Sequence, residues 1–325
     1  MTWKGWAGIA AAVAAACCLP LLTTNAYVIH IGIFLLMYVN LASSLNIVLG
    51  LTGQPNFAHA TFLGVGAYAA ALASLRAGWP FWINLPLGGL VASALGLVIG
   101  LPTLRVRGHH LAIVTIGFAQ IVRLIEINWD RVTRGPMGLP GIPTASLGSI
   151  SFGKTEFYYF SLALTLVVLF TIYRLAGSRI GRALMSIRDD EMAAEALGVN
   201  TRYYKIYSFV VSTFWAGVSG ALYAHYVTFV SPDSFTQADS TSILCMVVVG
   251  GAGTLLGPVI GAAVLVVAPE VLRSTSMYRY ILVGAVMVVS IMAREGVFSH
   301  AFGRLVSALG RDASGGTARG VTRRG

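Results

Sequence analysis

The chain has 325 residues, of which 56% are hydrophobic and 10% charged, and its mean hydropathy is +0.77. Soluble globular domains carry about 25% charged residues, so this composition excludes an ordinary soluble protein. The formal net charge of +10 is typical of nucleic-acid-binding proteins and of membrane proteins with basic cytoplasmic loops, and the long uncharged runs favour the second class.

Apolar windows long enough to cross a membrane follow one another along the chain. A helix needs about 20 apolar residues to cross a hydrocarbon core about 30 Å thick. The pattern predicts an all-α, polytopic membrane protein with about eight full transmembrane helices. A further stretch, 240–268, predicts a broken or hairpin helix pair near the C-terminus. The full spans are predicted at 6–22, 29–51, 57–75, 83–101, 110–128, 157–174, 206–226 and 278–293.

The first window admits two interpretations. Lys4 precedes an alanine-rich run, and Thr24-Asn25-Ala26 resembles the cleavage site of a signal peptide. We favour a retained first span, because the distribution of Lys and Arg is consistent with it. The predicted organisation is a first helix and outer turn at 1–28, a transmembrane domain at 29–298, and a cationic cytoplasmic tail at 299–325 that becomes disordered towards its end.

Lys and Arg set the expected orientation, because they concentrate in cytoplasmic loops. The polar segment 175–205 carries five Lys and Arg residues, and we take it as cytoplasmic. If 240–268 were one span, the arginine-rich tail would lie outside. If it folds back, 15 Lys and Arg lie inside, six lie outside, and both termini are cytoplasmic. The residues of this structural turn are Gly250, Gly251, Gly253, Gly257 and Pro258.

Polar side chains interrupt several of the apolar windows. Such groups either face a transport pathway or make hydrogen bonds between helices, and the sequence leaves both roles open. Arg123 and Glu126, three residues apart on one helix, are expected to pair. The pathway or packing candidates are Asn46, Gln54, Asn56, His59 and Gln120.

Catalytic and metal-binding constellations do not stand out in the sequence. A phosphate-binding loop needs Lys followed by Ser or Thr after its last glycine, whereas Pro258 follows Gly257. The three cysteines lie in apolar stretches without metal-ligand spacing. We therefore expect no catalytic residue, no metal, no cofactor bound by this chain, and no ATPase motif.

The segment 175–205 is the most informative part of the sequence. It carries four of the 12 acidic residues. It predicts one short helix through 182–187 and a second through 190–197, which Gly198 ends. An amphipathic helix pair of this kind fits a groove on a partner protein, and the alternative is a solvated connector. The small apolar face of the second helix consists of Met192, Ala193, Ala196 and Leu197.

Several blocks of this sequence share their residues with one known family. They are Gly50-Leu51-Thr52-Gly53-Gln54 with Gly64-Val65-Gly66-Ala67-Tyr68, Thr103-Leu104-Arg105-Val106-Arg107, Gly135-Pro136-Met137-Gly138-Leu139-Pro140-Gly141, Ile187-Arg188-Asp189-Asp190-Glu191 with Glu195-Ala196-Leu197-Gly198, and the glycine turn at 250–258. Together they resemble the LivM-like permeases of branched-chain amino acid ABC importers. The resemblance covers residues 30–295, and the chain departs from the family pattern at Pro55-Asn56.

This resemblance implies a transport subunit of the bacterial inner membrane and several partners. A periplasmic binding protein would deliver a branched-chain or related amino acid, a second homologous permease would complete the pathway, and two ABC ATPase subunits, which use the ATP, would dock on the loop 175–205. The membrane is the remaining partner, and nucleic acid is excluded. The ATPase-coupling residues that the resemblance implies are Arg182, Arg188, Asp190, Glu195, Ala196 and Gly198.

Three alternatives stay open from the sequence. Related permeases carry other cargo, such as sugars, urea, short amides or aromatic acids. An ion-coupled secondary transporter would need an ion site and commonly shows internal repeats with broken helices. An intramembrane enzyme would need paired Asp, Ser with Lys, or His at metal-ligand spacing. Dependence of uptake on ATP rather than on an ion gradient separates the importer from the secondary transporter.

Overall fold

Helices make up most of the structure, because a backbone in hydrocarbon must satisfy its N–H and C=O groups internally. The computed structural model describes residues 16–20, 23, 25–103, 109–147, 150–271 and 284. The helices with defined bounds are α1 (Ala26–Thr52), α2 (His59–Ala77), α3 (Phe81–Thr103), α4 (His109–Asn128), α5 (Asp130–Thr133), α6 (Lys154–Gly177), α7 (Arg179–Asp189), α8 (Glu191–Ala196), α9 (Thr201–Val227), α10 (Gln237–Gly250) and α11 (Gly257–Val271).

Six of these helices are long and apolar enough to cross a membrane: α1, α2, α3, α4, α6 and α9. They coincide with the six windows predicted between 29 and 226, which confirms a polytopic helical membrane protein. The window 6–22 is described only at 16–20, which is helical, and the window 278–293 only at Gly284. The tail 299–325 lies outside the described residues, so the total of about eight spans stays a prediction.

Helix α9 lies at the centre of the described bundle and packs against α1, α2 and α3. Glycines make this packing close. A Cβ at Gly66 or Gly88 would overlap the backbone of Gly217, and a Cβ at Gly220 would overlap that of Leu63. Small residues let membrane helices approach until their backbones touch, where dispersion forces replace the missing hydrophobic drive. The glycines of α2, α3 and α9 therefore set the spacing of the bundle.

The stretch predicted as a hairpin consists of α10 and α11, of 14 and 15 residues. The two helices fold back on each other and pack closely: a Cβ at Gly250 would overlap the carbonyl group of Gly257, and a Cβ at Gly261 would overlap that of Met246. A full span needs about 20 residues, and each of these helices is shorter. The structure thus confirms the hairpin. Between the helices, Gly251 (φ 118°) and Gly253 (φ 83°) take backbone conformations that residues with a Cβ rarely adopt, and Pro258 lies in the first turn of α11.

Asn46 on α1 binds the turn of this hairpin. Its Nδ2 donates to the carbonyl oxygen of Thr254 at 2.9 Å, and its Oδ1 accepts from the backbone N–H of Gly253 at 2.8 Å. The side chain is 2% exposed. Asn46 therefore joins α1 to the turn of the hairpin by hydrogen bonds.

Short elements close the end of the bundle where α1 begins. Strand β1 (Leu139–Pro140) pairs antiparallel with β4 (Phe229–Val230), and β2 (Ser146–Leu147) pairs with β3 (Ile150–Ser151). The expected pair of Arg123 with Glu126 is replaced by another. Arg123 Nη2 lies 2.8 Å from Asp233 Oδ1, on the loop after α9. Helical spacing permits the local pair, but the carboxylate within ion-pair distance of Arg123 comes from this loop.

We predict that Asn46→Leu lowers the free energy of unfolding by about 1–3 kcal/mol, because the Gly253 N–H and the Thr254 carbonyl lose their buried partner. The measurement is the melting temperature of the purified chain in detergent. Ser93→Ala is the control, since it removes only a hydrogen bond between the Ser93 hydroxyl and the Leu90 carbonyl of its own helix. Equal melting temperatures for Asn46→Leu and the unaltered chain would contradict the assigned role.

Candidate coupling site

Helix α7 covers the end of the bundle where α1 ends and α9 begins. Its first turn is capped by Ser178, whose Oγ accepts from the backbone N–H of Gly181 at 3.1 Å. Leu184 is buried in one apolar cluster with residues from the ends of α1 and α6, and Ile187 is 4% exposed. The helix predicted at 182–187 is therefore confirmed and is longer. Arg182 lies on its exposed face and donates to the carbonyl oxygen of Gly177 at 3.3 Å.

Helix α8 has a defined residue at each end. Asp190 is the N-cap, and its Oδ1 accepts from the N–H groups of Met192 (2.9 Å) and Ala193 (3.1 Å). At the other end Gly198 has φ +85°. The N–H of Gly198 donates to the carbonyl of Glu195 and that of Val199 to the carbonyl of Ala194, which is the Schellman pattern of a helix end. The predicted terminating role of Gly198 is confirmed by this geometry.

The predicted apolar face of α8 is exposed. Met192 is 69% exposed and Leu197 85% exposed, and Ala193 and Ala196 are exposed beside them. Ala194, on the opposite side of the helix, is 2% exposed. Apolar side chains grouped on a projecting helix indicate a surface that another protein covers. We call the four exposed residues Met192, Ala193, Ala196 and Leu197 the docking face.

Two polar contacts attach α8 to the first turns of α9. Lys205 Nζ lies 2.6 Å from Glu191 Oε1, and their side chains are only 7% and 21% exposed. The Thr201 hydroxyl donates to Glu195 Oε1 at 2.6 Å. The sequence assigned Glu195 to a partner and gave Lys205 no role. These contacts join α8 to the central helix of the bundle.

Arg188 extends from α7 into the protein. Its Nη1 donates to the carbonyl oxygen of Gly50 on α1 at 2.8 Å. A Cβ at Gly253 would lie 2.6 Å from the same Nη1, and a Cβ at Gly53 would lie 3.1 Å from Arg188 Cγ. The structure places the Nη1 of this coupling candidate between the end of α1 and the hairpin turn, while the side chain stays 40% exposed. Arg188 therefore links α7 to both.

A polar cavity of about 340 Å³ lies between the segment that follows α1 and helices α7 and α8. Gln54 is among its lining residues, together with Arg188, Glu191 and Lys205. Gln54 thus belongs to the same end of the molecule as the coupling residues. Charged groups of both signs line this cavity, which suits water and polar side chains better than apolar cargo.

The remaining polar candidates occupy different surroundings. Asn56 is 1% exposed, and its Oδ1 accepts from the backbone N–H of Ala58 at 2.9 Å. His59 is fully buried, with Nε2 at 2.8 Å from the Ser44 hydroxyl oxygen on α1. Gln120 is exposed on α4, and among the described residues it has no hydrogen bond with the other candidates. The structure therefore brings Asn56 and His59 to the α1–α2 junction and leaves Gln120 apart.

Comparisons with known proteins identify the family of this chain. A family model described as branched-chain amino acid transport system, permease component, matches residues 27–291. The chain belongs to this permease family. The family consists of transport subunits rather than enzymes, and the six candidate spans agree with a multi-pass membrane protein. The resemblance inferred from the sequence is thereby confirmed.

Curated relatives cover most of the chain. The high-affinity branched-chain amino acid transport system permease protein LivM of Escherichia coli (strain K12) is 36% identical, over 82% of this chain and 68% of that protein. The probable LivM protein of Methanocaldococcus jannaschii is 26% identical, over 75% and 80%. The permease protein LivH of Escherichia coli (strain K12) is 25% identical, over 71% and 80%. No solved structure gives a significant match.

We predict that Lys205→Met lowers the free energy of unfolding by about 1–3 kcal/mol, because Glu191 then keeps a largely buried carboxylate without its cation. The partial exposure of Glu191 keeps the expected loss below that of a fully buried pair. The double variant Lys205→Met/Glu191→Met should recover much of it. The measurement is a double-mutant cycle on melting temperature in detergent.

The control cycle uses Arg123 and Asp233, whose side chains are 33% and 76% exposed. An exposed pair contributes about 0–1 kcal/mol, so its coupling energy should be clearly smaller. Equal coupling energies in the two cycles would refute the special role given to the Lys205–Glu191 pair.

Proposed function

We propose that this chain is the membrane-spanning permease subunit of an ABC importer for branched-chain or related amino acids, and that ATPase subunits dock on α7 and α8. The docking face carries the proposal. It is apolar, exposed, and held on a helix with a cap at one end and a Schellman turn at the other. A helix that was only a solvated connector would gain nothing from exposing Met192 and Leu197.

The family supports a division of labour between several proteins. The relatives LivM and LivH of Escherichia coli (strain K12) are each named as a permease protein of a high-affinity branched-chain amino acid transport system. We infer that this chain likewise works with a second homologous permease, a periplasmic binding protein and two ATPase subunits. The ATPases bind and hydrolyse ATP, and the end of the bundle with α7 and α8 faces the cytoplasm of a bacterial inner membrane. Both chain termini are then cytoplasmic.

Two contact routes lead from the coupling helices into the bundle. The first leaves α8 through Glu191 and Lys205 and enters α9. The second leaves α7 through Arg188 and reaches Gly50 on α1, next to the hairpin turn that Asn46 holds. Closure of the ATPase pair moves α7 and α8, and these contacts carry the motion to the spans as a rigid-body change between two states.

The docking face gives the proposal a direct test. We expect Met192→Asp/Leu197→Asp to reduce the amount of ATPase that co-purifies with the tagged chain at least about tenfold, because two carboxylates would have to be desolvated in the interface. Uptake of labelled leucine should fall with it. Met137→Asp is the matched control, because Met137 is 82% exposed and lies in the loop after α4, away from α7 and α8.

Recovery of the ATPases at the unaltered level with the double variant would overturn the docking assignment. The energy source is tested separately, by uptake into proteoliposomes that contain the whole complex. We expect uptake to require internal ATP and to survive ionophores. Uptake that ionophores abolish and ATP does not support would assign the protein to the ion-coupled transporters instead.

A further inference from the structure

A cavity of about 600 Å³ lies at the end of the bundle opposite α7 and α8. It is partly open, and it is lined by the first turns of α1, the start of α6 and the last turns of α9. Its volume is in the range of small-molecule sites, about 300–1,000 Å³. Neither the sequence motifs nor the coupling function uses this cavity. Its lining includes the aromatic residues Phe34, Phe152, Phe157, Tyr223 and Tyr226.

The rings of this cavity form a fixed wall. The Tyr226 hydroxyl lies 2.6 Å from His30 Nδ1. The ring of Phe157 lies 4.8 Å from that of Tyr226, and the ring of Phe34 lies edge-on to it at 5.9 Å. Phe34 also contacts the ring of Tyr223 at 6.3 Å. Aromatic residues of a membrane interface commonly face lipid, whereas these rings contact one another along the wall of a partly open cavity.

Lys154 is the cation of the cavity lining. The ion pairs recorded within the described residues are Arg123–Asp233, Arg188–Asp189 and Lys205–Glu191, so the ammonium group of Lys154 has no carboxylate partner there. None of the described residues lining the cavity is Asp or Glu. The nearest acid along the chain, Glu156, turns its carboxylate back towards Gly153 at the start of its own helix. An anionic ligand group would therefore meet an unpaired ammonium group.

We propose that this cavity binds a small α-amino acid with an apolar side chain. The carboxylate pairs with the ammonium group of Lys154, and the apolar side chain packs on the rings of Phe34, Phe157 and Tyr223. The ammonium group of the ligand is attracted to the face of an aromatic ring. This assignment rests on the proposed function for the cargo class, and it adds a site for cargo within this chain, at the end remote from the ATPases.

The test is equilibrium binding of tritiated L-leucine to the purified permease–ATPase complex, in detergent and without the binding protein. We expect Lys154→Ala to weaken binding about tenfold or more, because a charge-assisted contact to the carboxylate is lost. Lys154→Arg should restore most of the affinity. Arg131→Ala is the matched control: it removes one exposed cation from the short helix α5, outside the cavity lining.

A second variant tests the apolar half of the site. Phe34→Ala should weaken the binding of leucine. The inhibition constant of glycine, measured by its competition with labelled leucine, should stay unchanged, since glycine has no side chain for the rings to contact. Equal losses for leucine and glycine would overturn the assigned orientation. Normal recovery of the ATPases with each variant verifies that the complex still assembles.

The outcomes separate this inference from the proposed function. If the complex assembles and takes up leucine with ATP, but Lys154→Ala binds leucine as the unaltered complex does, the cavity assignment is wrong and the importer assignment stands. If phosphatidylglycerol vesicles displace leucine in a Lys154-dependent way, the site is one for lipid headgroups and the proposal fails. If no ATPase is recovered and uptake follows an ion gradient, the proposed function itself fails.

Discussion

A backbone that leaves helical geometry within a membrane protein must find its hydrogen-bond partners inside the protein. The hairpin turn after α10 is such a backbone, and the carboxamide of Asn46 supplies a donor and an acceptor to it. The same stretch of α1 accepts from Arg188 at Gly50. A Cβ at Gly50 would overlap both the Asn46 carboxamide and the N–H of Gly253. The glycine therefore permits an arrangement in which α1, α7 and the hairpin meet at one point.

Charge and apolar surface are distributed in an unusual way at the coupling helices. The charged pair Lys205–Glu191 is turned inward and largely buried, while Met192 and Leu197 are exposed. An isolated soluble helix would show the reverse pattern. Both features have a reason if a partner covers the docking face: apolar contact stabilises the complex, and the inward ion pair keeps α8 attached to the bundle when the partner moves.

Helix α9 connects the two ends of the molecule. Its first turns hold Thr201 and Lys205, which contact α8, and its last turns hold Tyr223 and Tyr226, which line the aromatic cavity. Between them the helix packs against α1, α2 and α3, and its contacts with α2 and α3 are close because they are made at glycines. In the proposed importer, helix α9 contributes residues to both the coupling site and the cargo cavity.

The sequence by itself determined the helical membrane fold, the six windows from 29 to 226, the hairpin, and the end of α8 at Gly198, because apolar run length, charge sidedness and glycine stereochemistry are local properties of the chain. Only the tertiary structure decided the partners. Arg123 pairs with Asp233 rather than Glu126, Arg188 turns inward to Gly50, and Asn46 holds a turn some 200 residues later in the chain. The aromatic cavity likewise joins His30, Lys154 and Tyr226. Periodicity indicates which residues share a helix face, but the choice of neighbouring helix depends on packing between segments far apart in sequence, which no local pattern encodes.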